Sequence, residues 1–185
     1  MVAIVVEGKR DVTFYKNLIK EVFNIDKSKY NIIKTDGKSK LLNKSLDKYQ
    51  DLLKSIKVGR IRKVLFIIDA DDSKDNKEIG GYLNSQDKIE ELIKDLDIEL
   101  YSDYFIACNP LTQKGNIENL VISTLTEDEE KCIKSFLNCS ELENSNNSKR
   151  LLGIYNYGFP DKTFDYNHPN FNELKQKLTN LFKEE

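Results

Sequence analysis

At 185 residues, 39% apolar and 32% charged, the chain is long enough to bury a real core and is expected to form one domain with at most a small appendage. Its 29 Lys and Arg against 31 Asp and Glu leave a formal charge of −2, so nucleic acid, if bound, must be held by a local patch. No stretch approaches the roughly 18–20 apolar residues of a membrane span. The opening MVAIVVEGKRD does not read as a signal peptide, because charge follows a short apolar run, and a cytoplasmic location is expected.

In chain order, VAIVV (2–6) is an apolar, β-branched run suited to a strand buried on both faces. Asp11 then reads as the N-cap of a helix carrying Val12, Tyr15, Leu18, Ile19 and Val22. YNIIK (30–34) is a second strand and TDGKSK a turn. Leu42, Leu46, Tyr49, Leu53 and Ile56 predict one amphipathic helix after it. KVLFII is the third strand, and after a polar loop Ile89, Leu92, Ile93 and Leu96 mark a third helix. DYFIAC (103–108) is a fourth strand. This β-α-β-α-β-α-β order predicts an α/β fold of three layers, a mainly parallel sheet of about four strands flanked by helices.

Beyond residue 125 the chain reads as helical. Thr126 with Glu129 forms a capping box for a helix bearing Ile133, Phe136 and Leu137, and Asn170 with Glu173 forms another before Leu174, Leu178 and Leu181. Between them, NCSELENSNNSKR (138–150) is polar and expected to be mobile. The expected organisation is an α/β core over 1–125 with a helical C-terminal extension, 126–185, packed on it. Cys108, Cys132 and Cys139 form no C-x-x-C pair and read as free buried thiols of a reducing compartment. A lone His168 without a partner serine or cysteine signature argues against a hydrolase triad. Tyr155 and Tyr157 read as packing residues.

The carboxylates carry the chemistry. Glu7 follows the first strand; Asp69 and Asp71 follow the third, in DADD. In a parallel sheet the C-terminal ends of the strands share one rim, where ligands bind. Glu118, in KGNIENLV after the fourth strand, can reach that rim, and Asp72 is a further candidate. Oxygen donors grouped this way suit a hard cation, Mg²⁺ or Mn²⁺. The bland alternative is that these acids only cap turns. For phosphate, Lys9 and Arg10 stand at a helix N-terminus beside Glu7, with Lys38 and Lys40 on the next turn. Gly8 either lets backbone approach a phosphate or merely makes the turn tight. Lys57, Arg60, Arg62 and Lys63 precede the third strand and therefore belong to the opposite edge. No aromatic residues interleave with the basic stretches, so the sequence displays no single-strand stacking platform.

IVVEGKRD followed about sixty residues later by VLFIIDADD resembles the Toprim domain of type IA and type II topoisomerases, bacterial primases and overcoming-lysogenization-defect (OLD) nucleases. The resemblance covers roughly residues 1–110. GNIENLV and the tail FDYNHPNFNELKQKL look more like small stand-alone Toprim-related proteins. It implies Glu7 as a general acid/base or metal ligand, Asp69 and Asp71 as the Mg²⁺-binding pair and Glu118 as an additional nuclease-type acid. It further implies DNA or RNA as substrate and a partner protein such as an ATPase. Where many Toprim domains place a glycine after Asp-x-Asp, this chain has Asp72-Ser73-Lys74-Asp75, which leaves the number of ions open. No strand-passage tyrosine region or primase zinc module is present. Two other readings stand beside a nuclease: a module binding metal, nucleotide or partner without turnover, and a haloacid-dehalogenase-type phosphatase using Asp69 as nucleophile. The phosphatase motif ordinarily ends the first strand, not the third.

Overall fold

The computed structural model describes residues 1–74, 76–140 and 148–183. Asp75 and most of the polar 138–150 segment lie outside the described residues. Strands β1 (Val2–Val6), β2 (Tyr30–Lys34), β3 (Lys63–Asp69) and β4 (Ser102–Ala107) form one sheet in the order β2-β1-β3-β4, every pairing parallel. Val2 faces Tyr30 on one side and Lys63 on the other, so the C-terminal ends of β1 and β3 finish close together.

Alternation along each strand sends side chains to opposite faces. On one face Val2, Ile4, Val6, Leu65 and Ile67 pack against Tyr15 and Leu18 of α1 (Lys9–Leu18) and Leu174, Leu178 and Leu181 of α8 (Asn172–Phe182). On the other, Ala3, Val5, Val64, Phe66 and Ile68 meet Tyr49 and Leu52 of α3 (Asp47–Lys57) and Ile89, Leu92 and Ile93 of α4 (Tyr82–Asp95). The result is the three-layer α/β fold. Because α8 lies against the sheet itself, the C-terminal extension supplies part of one helical layer. Helices α5 (Ile117–Ile122), α6 (Glu127–Asn138) and α7 (Ser148–Gly158) flank that layer.

Several local expectations are corrected. Asp11 is the third residue of α1, not its N-cap; Gly8 holds the cap position and its N–H donates to Asp11 Oδ2 at 2.6 Å. Past Leu18 the helix loosens into a π-helical turn, Ile19–Phe23, and stops at Asn24, whose φ is 50°. The helix expected from Leu42 to Ile56 starts only at Asp47, as α3, and ahead of it the stretch read as the TDGKSK turn ends in a separate short helix, α2 (Lys38–Leu41). Between them the Asn43 side chain accepts from Ser45 N–H, a local turn that competes with helix. Asn170 caps nothing: Pro169–Phe171 is a 3₁₀ turn, and Asn170 Nδ2 donates to the Ser123 carbonyl and hydroxyl. The Thr126–Glu129 box is present, with both bonds made. Cys108 is buried as expected, but Cys132 and Cys139 are exposed. Tyr155 is buried against Phe159 and Phe164, whereas Tyr157 is exposed. Among the described residues no helix is long and apolar enough to cross a membrane.

Candidate functional site

The chain leaves β1 toward β2 on one side and β3 toward β4 on the other, so a crevice opens between β1 and β3 at their carboxyl ends. Glu7 is the first residue past β1 and Asp69 the last of β3. They meet there: Asp69 N–H donates to Glu7 Oε1 at 2.8 Å. Asp69 Oδ1 in turn accepts from the N–H of Ile117, the first residue of α5, at 3.3 Å. That contact brings α5 to the rim, and with it Glu118, only 6% exposed, whose Oε1 lies 3.6 Å from Arg10 Nη1.

The acids perturb one another. Glu7 is partly buried, which together with repulsion from Asp71 and Asp11 pushes its carboxyl up to about 7, against the lowering effect of the Asp69 N–H and Lys38. Burial, then Glu7, Asp11, Asp71 and Glu118, hold Asp69 well above the usual carboxylate range. Asp11 is raised by burial and by Glu118, with Gly8 N–H and Lys149 opposing. Beneath them the Tyr15 hydroxyl is fully enclosed, feels the charge of Asp11, Asp69, Glu7 and Glu118, and finds no hydrogen-bond partner among the described residues.

Asp71 sits apart from this group in its environment. Its φ is 60°, a conformation aspartate tolerates better than most residues, and it pairs with Gly115: Asp71 N–H donates to Gly115 O at 2.6 Å and Gly115 N–H to Asp71 O at 3.1 Å. Only glycine serves at 115, where φ is +90° and a Cβ would lie 2.1 Å from Asn119 Oδ1. The Asp71 carboxylate faces a cation: Lys38 Nζ, 3.1 Å away. The same ammonium donates to the carbonyls of Asp69 (2.5 Å) and Ala70 (3.0 Å) and to Ser85 Oγ (2.9 Å). Lys38 is thus a buried tie under the DADD loop. It is delivered by the TDGKSK turn, which is anchored on β1 by Gly37 N–H donating to Glu7 O.

The remaining candidates lie further out. Asp72 is exposed enough to pair with Lys114 at 3.3 Å; the Lys74 N–H and Lys114 lower its carboxyl. Lys9, Arg10 and Lys40 are exposed, while Lys38 is not. Gly8 adopts φ −134°, extended backbone open to any residue, and an added Cβ would make only ordinary contact with Asp11 Oδ2 at 3.4 Å. The structure therefore joins Glu7, Asp69 and Glu118 at one crevice, adds Asp11 and Tyr15, which the sequence suggested only as cap and core, and turns Lys38 inward. Nothing in the sequence distinguishes Lys38 from Lys40; Asp11, one helical turn past Glu7, was the one detectable signal.

Among the described residues no three His, Cys, Asp or Glu side chains gather closely enough to hold a metal ion unaided. The donor chemistry still suits one kind of ion. Mg²⁺ keeps several waters and is usually held by one or two carboxylates plus substrate phosphate, a demand that Asp69 with either Asp71 or Glu7 could meet with hard oxygens alone. The chain matches no family model, no curated protein and no solved structure.

Proposed function

We propose that the chain is a Toprim-like protein that uses carboxylate-bound Mg²⁺ or Mn²⁺ to act on nucleic-acid phosphodiester bonds, in the manner of a nuclease. One observation carries the reading: the Asp69 N–H to Glu7 Oε1 bond at 2.8 Å, which joins the two acid motifs at the β1/β3 crevice. A divalent cation there would neutralise the mutual repulsion of Glu7 and Asp69 and polarise a phosphate oxygen. Asp69 and Asp71 would hold it, with Glu118 and Asp72 as further oxygen donors. Glu7, with its carboxyl near 7, carries a proton part of the time at neutral pH, and so can accept one from water or give one to the departing oxygen.

Labelled DNA and RNA incubated with Mg²⁺ or Mn²⁺ test this. Cleavage is expected with the wild type and is expected to fall on the order of 10²-fold or more in Asp69→Asn. Binding without cleavage, with either metal and across single- and double-stranded substrates, would overturn the nuclease reading in favour of a binding module. That second reading has its own support, since Asp71 already has its counter-charge in Lys38.

A further inference from the structure

Alongside the acid crevice runs a cleft of about 690 Å³ between α1, α5 and α7, within the range of roughly 300–1,000 Å³ typical of small-ligand sites. It follows α1 from Lys9 and Arg10, beside Glu7, past Phe14 to Asn17, a run of about 12 Å at the helical rise. Its two ends differ in chemistry. At the end next to the acids, Lys9, Arg10 and Lys149 bring three cations, Arg10 against Glu118 and Lys149 within electrostatic reach of Asp11. Further along, the wall is aromatic and aliphatic: Phe164 and Tyr166 pack around Phe14 with ring centroids 6.4 and 6.0 Å away, and Leu152 lies opposite on α7. Asn17 and Asn156 add carboxamides that both donate and accept. Phe164 and Tyr166 come from far along the chain, which is why no basic stretch of the sequence carries its own aromatic residues.

We propose that this cleft receives one unpaired nucleotide of a nucleic-acid strand, its phosphate at the Lys9–Arg10–Lys149 end and its base against the aromatic wall. The inference rests on the phosphodiester reading of the acid crevice and names its substrate as single-stranded. The cationic end borders the acids, through Lys9 two residues after Glu7 and Ile117 bonded to Asp69, so a phosphate held there directs the neighbouring diester toward the acid crevice, while a base still stacked in a duplex cannot enter a lateral cleft. The base stacks and the cations hold the strand, the combination by which single strands are bound with little sequence preference.

Two substitutions block the cleft without touching the acids. Gly153 on α7 borders it, its added Cβ would meet nothing within 4 Å, and its backbone is ordinary helix, so a side chain can be started there without strain and Gly153→Trp sets an indole at the cleft. Gly153 also borders an apolar groove on the other side of α7, whereas exposed Asn156 lines only the first cleft, so Asn156→Trp is the companion. Binding of a short fluorescein-labelled thymidine oligonucleotide, read by anisotropy with Ca²⁺ in place of Mg²⁺, is expected to weaken on the order of ten-fold in each variant, the size of one lost stacked base. Wild-type affinity should fall similarly when a single base is replaced by an abasic site. Unchanged affinity in both variants, equal affinity for duplex, or no oligonucleotide binding by the wild type would each overturn the proposal.

Mn²⁺-dependent hydrolysis of bis(p-nitrophenyl) phosphate by the wild type separates this proposal from the one it rests on. Hydrolysis with no oligonucleotide binding overturns the cleft and leaves the acid crevice standing. Binding lost in Asn156→Trp, with no hydrolysis of any diester, supports the cleft and overturns the phosphodiester chemistry.

Discussion

The two edges of the sheet handle charge in opposite ways. At the N-terminal edge, Lys63 points its ammonium at α8 and donates to the carbonyls of Asn180 and Lys183 at 3.2 and 3.4 Å, completing the last turn of that helix. The helix end is negative, the lysine positive, and the charge serves the fold. At the C-terminal edge, Glu7, Asp69, Asp11 and Glu118 stand within each other's fields in a partly buried crevice, and burial and repulsion push the carboxyls of the first three upward. Asp72, only three residues past Asp69 but met by the Lys74 N–H and by Lys114 near solvent, shifts the other way. Residue type does not decide the outcome; enclosure and the sign of the neighbours do. An edge that tolerates such repulsion without folding benefit is where a ligand's charge would be useful.

Lys38 offers the largest effect by which to break this contrast, because it neutralises the acidic edge from a buried position. Lys38→Met would leave the Asp71 carboxylate, Ser85 and two loop carbonyls without their shared donor. Removing one partner of a buried charged group costs about 3 kcal/mol. Asp71 retains partial access to water, so the loss should not exceed that figure. Denaturant titration should move the midpoint down with an unchanged slope. A variant as stable as the wild type would show that the tie under the DADD loop is dispensable, and that the two edges differ less than their charges suggest.

Stability against pH sharpens the same point. With a folded value of about 7 against an ordinary 4.5, Glu7 binds more proton in the folded than in the unfolded chain between those two pH values. Stability must then fall as pH rises from about 4.5 to 7, by about 3 kcal/mol at most from this group, and level off on either side. Asp69, raised for the same reasons, adds to the fall. Thermal melts without divalent metal should therefore give a higher Tm at pH 5 than at pH 7.5. Glu7→Gln keeps an oxygen for the Asp69 N–H but removes the charge, so its melts should be flatter with pH and its Tm above wild type at pH 7.5. Identical slopes for the two proteins would show that burial and repulsion do not raise the Glu7 carboxyl.

The repeating parts of this molecule were legible in the sequence because each strand carries a dense local signal. VAIVV (2–6) and VLFII (64–68) are apolar at every position, so their burial on both faces, their parallel order and the convergence of Glu7 with Asp69 follow from pattern and topology. What escaped depends on side chains meeting across the fold. Lys38 and Lys40 flank Ser39 in the same short stretch, and only the direction of α2 buries one and exposes the other. Asp11 satisfies a cap from inside the helix and so resembled a capping residue while facing the acids. Phe164 and Tyr166 reach the cleft by packing on Phe14, about 150 residues earlier in the chain, a contact with no local signature.

The smallest effect is expected at the N-terminal edge, and it is the control for the comparison. Lys63→Met retains the aliphatic stem and removes the charge that meets the α8 carbonyls. A cation at a helix C-terminus contributes about 0.3–1 kcal/mol at an exposed site, so a loss of about 0.5 kcal/mol in denaturant titration is expected, reduced further by salt. Nucleic-acid binding and diester cleavage should be untouched, because this edge lies a full strand length from Glu7. If Lys63→Met instead weakened oligonucleotide binding while leaving stability intact, the strand would have to wrap from one edge to the other. The basic run of Lys57, Arg60, Arg62 and Lys63 would then be part of its path.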